Sequence, residues 1–111
     1  MLLTVESIVE GTKQVFKIIG ILDFATIDTF KLNQKIADSV TDIEIDFTEL
    51  EFIDSTGIGA IISILHNAAS LNIKVQFTGM SDEIIYLFET IGVFDVKNSL
   101  LGGDDNHATK P

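Results

Sequence analysis

Residues 53–62 read Ile53-Asp54-Ser55-Thr56-Gly57-Ile58-Gly59-Ala60-Ile61-Ile62, and this stretch decides how the chain is read. Before it lies IEIDF, residues 43–47, whose strict alternation is the period of a half-buried strand. After it, Ile58, Ile61, Ile62, Leu65 and Ala69 recur at helical spacing, predicting a helix to about Ser70. A carboxylate, two hydroxyls and two glycines therefore occupy a strand-to-helix junction. One reading is a helix cap, because Ser, Thr and Asp side chains satisfy the first free amides of a helix. The other is a phosphorylation site, because those same orphan N–H groups can receive phosphate oxygens. Gly57 and Gly59 would each cost about 1 kcal/mol inside a helix. In a first turn the cost is smaller, and a missing side chain lets another protein's backbone come close.

Working outward, LTVESIV (3–9) and QVFKIIG (14–20) are β-rich runs joined through Gly11, which predicts an opening hairpin. A helix is expected from Ile27 to Val40, capped by Thr26, with Asp28 in its first turn and an apolar stripe of Phe30, Ala37 and Val40 broken at Asn33. KVQF (74–77) is another strand. Ser81 caps a third helix with Ile84, Leu87, Phe88 and Ile91 on its apolar face, Asp82 and Glu83 at its positive end and a stop at Gly92-Val93. A short segment from Phe94 to Leu101 closes the unit. The order β-β-α-β-α-β-α implies an α/β fold with a mixed sheet, as one domain over 1–101. GGDDNHATKP (102–111) has nothing to bury and is expected to be a loose tail.

The 111 residues suffice for one modest core, and 46% hydrophobic residues exclude disorder for most of the chain. With 17 acids against 7 bases the net charge is −10, a field that repels nucleic acid and anionic lipid and favours a protein or small-molecule partner. The amino end carries Glu6 and no basic start, so no secretory signal is expected, and no run is long enough to cross a bilayer. The absence of cysteine fits a reducing cytosol.

Catalysis by Ser55 would need a base, and the chain offers only His66, eleven residues along the same helix, and His107 in the tail. Metal binding has no paired histidines to use, and Asp104-Asp105 reads as solvated tail charge. G-I-G lacks the lysine and spacing of a phosphate-binding loop. An aspartyl-phosphate receiver would take Asp46 as acceptor with Thr78 and Lys97, but the acid pair that should close its first strand is reduced to Glu10. On the helical wheel, Gly57, Ala60 and Ile64 fall outside the core stripe, giving a small-residue surface with an outward isoleucine that predicts a partner-facing patch.

Asp54-Ser55-Thr56-Gly57-Ile58-Gly59, preceded by IEIDF and Phe52-Ile53, resembles the signature of STAS domains. It is most similar to the stand-alone bacterial anti-sigma factor antagonists, whose pattern is Asp-Ser-Ser/Thr-Gly-aliphatic-small. Gly20-Ile21-Leu22-Asp23 falls where that family has a Gly-x-x-Asp step, and the helix between Gly79 and Gly92 with its Val93-Phe94 exit is also similar. The resemblance spans roughly residues 4 to 98 and implies a STAS-like mixed sheet. It further implies that Ser55 is phosphorylated by a partner anti-sigma factor, an ATP-dependent serine kinase, with Asp23 and Asp54 flanking it and Thr56 a neighbour. The unphosphorylated antagonist would bind that kinase and free a sigma factor in the cytoplasm, and a serine phosphatase would reset the switch. ATP would belong to the kinase, leaving this chain without a cofactor, a metal or catalysis of its own. One departure is Ile21, where family members commonly carry an acid; it bears on the kinase contacts and not on the phosphoacceptor. Two other readings are a STAS docking module without phosphate control, in a signalling scaffold or transporter accessory complex, and a small serine-dependent enzyme.

Overall fold

The computed structural model describes residues 2–32 and 35–101. β1 (Leu3–Glu10) and β2 (Lys13–Leu22) form the expected hairpin, antiparallel from Leu3↔Gly20 to Glu10↔Lys13. Gly11 turns the chain at φ 62°, in the left-handed region where a side chain is costly. The remaining strands are β3 (Asp42–Asp46), β4 (Leu50–Ile53) and β5 (Lys74–Thr78), and the helices are α1 (Ile27–Leu32), α2 (Ser55–Ser70), α3 (Asp82–Ile91) and α4 (Val93–Leu101). The sheet runs β1-β2-β3-β5, with β3 parallel to β2 and β5 parallel to β3. β4 also runs parallel to β2, on the stretch Gly20–Leu22, so β3 and β4 follow one another along the same strand. That places the start of α2 directly beside the end of β2.

The burial of β2 alternates along its whole length, with Phe16, Ile18 and Leu22 on the buried face. Ile43 and Ile45 of β3 and Val75 of β5 continue that face, which α2 covers. Phe47, Phe77 and Phe88 meet edge to face with centroids 5.5–5.7 Å apart, and Phe94 closes the cluster. The opposite face of the sheet is half-buried or exposed. There Lys13 pairs with Glu44 across β2 and β3 at 2.7 Å, and Lys17 pairs with Glu49, in the turn before β4, at 2.9 Å.

Three expectations are corrected. α1 ends at Leu32 instead of Val40 because the chain beyond it serves another residue. Gln14, only 2% exposed, donates from Nε2 to Lys35 O at 3.1 Å and to Ser7 Oγ at 2.7 Å, and its Oε1 accepts from Ala37 N at 2.9 Å. Backbone groups that would be used inside a longer helix thus satisfy a buried amide. Secondly, Leu50–Ile53 is a strand and Val93–Leu101 a helix. A four-residue strand is too short for its period to be legible. Thirdly, Ile91 is exposed, because Gly92 at φ 89° ends α3 and Phe94 takes the place on the aromatic cluster. Residues 102–111, expected to form a tail, lie outside the described residues.

Two carboxylates on the uncovered face give the fold a pH dependence. The Lys13 ammonium and the Thr78 hydroxyl hold Glu44 below its ordinary value of 4.5, and donation from Thr48 holds Asp46 below 3.8. Each group binds its proton more weakly folded than unfolded. Their stabilisation is therefore complete above those ordinary values and is lost as the pH falls through the lower folded ones. The urea midpoint should drop between about pH 5 and about pH 3. Glu44→Gln should start lower at neutral pH and drop less over that interval; an unchanged pH dependence would contradict the assignment.

Candidate functional site

Asp54 stands at the N-cap of α2 with extended backbone, φ −109° and ψ −175°. Its Oδ1 accepts from Gly57 N at 2.9 Å, the capping bond, and its Oδ2 accepts from Phe24 N at 3.1 Å. Its own N–H donates to Leu22 O at 3.3 Å, and its carbonyl accepts from Ile58 N at 3.0 Å. One residue therefore ties together the end of β2, the loop after it and the first turn of α2.

The loop is fixed from its other side by Asp23. Its Oδ1 accepts from Ala25 N at 3.0 Å and Thr26 N at 3.1 Å, a local side-chain turn. Thr26, 9% exposed, donates from its hydroxyl to Ile21 O at 2.8 Å and accepts from Asp23 N at 3.0 Å. Asp23 and Asp54 are thus both brought to the β2 end of the sheet, each with one carboxylate oxygen or more engaged by backbone amides.

Ser55 is the first residue of α2, and it is exposed. Among the described residues its hydroxyl makes no hydrogen bond to the protein. Because Asp54 has taken the capping position, the two readings of the motif fall on different residues. The cap is Asp54, and the free hydroxyl is Ser55. Thr56, next along the helix, is half-buried.

The expected partner-facing surface is corrected. Gly57, Ala60 and Ile64 are buried, Ala60 at 7% and Ile64 at 4%. α2 is flanked by α1 and α4 as well as by the sheet, so its buried arc is wider than a single-sided stripe. A side chain at Gly57 would meet Ile53 Cγ1 at 2.8 Å and Leu22 O closer still, so this glycine serves packing on the strands. Gly59 differs. It is exposed, and a side chain there would have nothing within 4 Å. Ser55, Gly59, Ser63, His66, Asn67 and Ser70 are the exposed side of α2, with half-buried Ile62 at its border.

The competing chemistries are not assembled among the described residues. His66 is about 16 Å from Ser55 along the helix axis at 1.5 Å per residue, too far to act as its base. Asp46 accepts from Thr48 N at 2.9 Å and Thr48 Oγ1 at 2.6 Å, while Thr78 donates to Glu44 at 2.8 Å and not to Asp46. The trio with Lys97, which sits on α4, is not brought together as a receiver site. No group of three His, Cys, Asp or Glu side chains suited to a metal ion forms among the described residues. His107, Asp104 and Asp105 lie outside them. One feature escaped the sequence reading: Phe24, 78% exposed, is held beside the Ser55 turn by the Asp54 carboxylate. An aromatic one place after Asp23, outside any periodic run, was its only sequence signal.

A profile of the STAS domain matches residues 6–100. The chain belongs to the STAS domain family. It is 32% identical over 54 residues to an anti-sigma-B factor antagonist of Listeria monocytogenes, a match covering 49% of this chain and 47% of the relative. The chain thus spans about half the length of the curated relatives it matches. In fold, this STAS domain is similar to Bacillus SpoIIAA in its phosphorylated form, with a TM-score of 0.64 at 21% identity, covering 95% of this chain and 92% of the other. It is also similar to a sulfate transporter family protein from Wolinella succinogenes, with a TM-score of 0.71 at 17% identity over 83% of this chain and 76% of the other.

The two glycines of the motif should respond oppositely to alanine. Gly57→Ala, which forces α2 off the strands, is expected to cost about 1–3 kcal/mol. Gly59→Ala, with open space around it, should gain up to about 1 kcal/mol from helix propensity. Urea denaturation of the two variants checks both signs, and a destabilised Gly59→Ala would show that the fold needs that glycine.

Proposed function

We propose that this STAS domain is an anti-sigma factor antagonist whose binding to an anti-sigma factor with serine kinase activity is controlled by phosphorylation of Ser55. The observation that carries the reading is the division of labour at the junction. Asp54 caps the helix, so Ser55 is free, exposed and fixed in position at a rigid helix start. A hydroxyl occupied as a cap would have to surrender its bond before it could react. The Listeria relative, named an anti-sigma-B factor antagonist, supports the antagonist role. The likeness to SpoIIAA, solved in a phosphorylated form, supports a fold able to carry the modification.

In this reading the chain is a substrate and not a catalyst. Ser55 Oγ attacks the terminal phosphorus of ATP held by the kinase; the Oγ–P bond forms, the bond to ADP breaks, and the hydroxyl proton passes to a base on the kinase. The new group adds about −1.5 to −2 charges beside Asp54. Two unit charges 5 Å apart at an effective dielectric of 20 repel by roughly 3 kcal/mol before salt screening. The positive end of α2 returns about 0.3–1 kcal/mol. In the free domain water screens the difference and the fold persists. At an interface the added charge must also be desolvated, and a loss of about 2–4 kcal/mol weakens binding roughly 30- to 1,000-fold. The unphosphorylated domain holds the anti-sigma factor and frees the sigma factor; a serine phosphatase restores that state. In this reading both exchanges take place in the cytoplasm, beside the transcription machinery.

Calorimetry of the two phosphoforms against the anti-sigma factor should show that loss of affinity, with Ser55→Asp reproducing part of it. Gly59→Ala should weaken binding of the unphosphorylated form while leaving the domain at least as stable, because it places a methyl one turn from Ser55. Equal affinities of the two phosphoforms would overturn the reading.

A further inference from the structure

Two of the largest exposed apolar side chains lie at the end of the sheet where Ser55 sits. Phe24 is 78% exposed in the loop that Asp54 holds, and Phe52, three residues before Ser55, is 51% exposed. Phe52 lies opposite Ile21 in the β2–β4 register, so it belongs to the uncovered face of the sheet, at the same end as Ser55. Neither ring joins the aromatic cluster of the core, which is built from Phe47, Phe77, Phe88 and Phe94. Water-exposed phenylalanines outside the core, one on the loop tied to the Ser55 turn and one on the strand that feeds it, are what a docking partner would use as anchors.

Charge decides what kind of partner fits. The neighbouring acids along the chain are Asp23, Glu49, Glu51 and Asp54. Lys17, the cation nearest in register, is already paired with Glu49 at 2.9 Å. A second copy of the chain, itself at −10, would bring the same acids against them. A partner that offers apolar pockets rimmed by Lys or Arg complements both the rings and the field.

We propose that Phe24 and Phe52 are the apolar anchors by which the kinase that modifies Ser55 docks, its footprint reaching from the α2 start across the Phe24 loop onto the uncovered face of the sheet. This rests on Ser55 being the phosphoacceptor. The anchors set which kinase recognises the chain, since the serine turn alone offers only small and acidic side chains.

The test uses the full chain in a clarified extract of its native cells supplied with magnesium and ATP, following the initial rate of Ser55 phosphorylation by intact mass and peptide mapping. Phe24→Ala/Phe52→Ala should slow that rate by about tenfold or more, the loss expected when buried aromatic anchors are truncated. Leu71→Ala removes an equally exposed side chain, 54% accessible beyond the far end of α2, and should leave the rate unchanged. Both variants should melt with the parent protein, since neither ring is part of the core. Phosphorylation of the double variant at the parent rate would overturn the docking proposal and leave Ser55 as the acceptor. No phosphate on Ser55 of the parent protein would overturn that assignment and the docking proposal with it. A dimer of the parent that the double variant loses, seen by light scattering, would assign the patch to a second copy and overturn the proposal.

Discussion

The bifurcated use of the Asp54 carboxylate is the constraint on which the rest of the site depends. One oxygen caps α2 through Gly57 N, and the other holds the loop after β2 through Phe24 N. Each bond alone is an ordinary charge-assisted hydrogen bond to a backbone amide. Together they fix the angle at which α2 leaves the sheet and the position of the loop beside it. Gly57 completes the arrangement, since the helix can approach Leu22 and Ile53 only where no side chain intervenes. Ser55 then has one exposed position, set by three elements at once.

That geometry matters because a phosphoacceptor has to be both accessible and positioned. A serine on a mobile loop is accessible, but its ordering must be supplied by the kinase at the expense of affinity. At the first position of a sixteen-residue helix that is packed on a sheet, the ordering is already present. On the proposed reading, the electrostatic response to a phosphate on Ser55 is local for the same reason. A rigid scaffold passes an added charge to its interface as lost affinity, whereas a marginal one would pass it into unfolding.

The strand over 43–47 and the helix after Ile58 were legible in the sequence because their periods are undisturbed, while Leu50–Ile53, the short strand that feeds the helix, was not. Capping of α3 by Ser81 and its stop at Gly92 were legible too, since both use local chemistry. What the sequence hid depends on distant partners. α1 is short because Gln14, more than twenty residues away, binds the backbone at 35 and 37. Ile64 is buried because α1 and α4 flank α2, and one helix read in isolation cannot show how many neighbours it has. The cap itself is a local bond from Gly57 N to Asp54, but the second use of that carboxylate, holding Phe24 N thirty residues away in the chain, left no mark in the motif. The motif announced that the junction was unusual, and only the fold divided its roles.

The most direct measurement of the central claim is site-resolved mass spectrometry of the protein isolated from its own cells under several growth conditions. The account predicts phosphate on Ser55 in at least one condition, with none on Thr56, whose side chain is half-buried at the second position of the helix. Phosphate on Thr56, or a Ser55 that stays unmodified in every condition while a kinase-bearing partner is present, would contradict it.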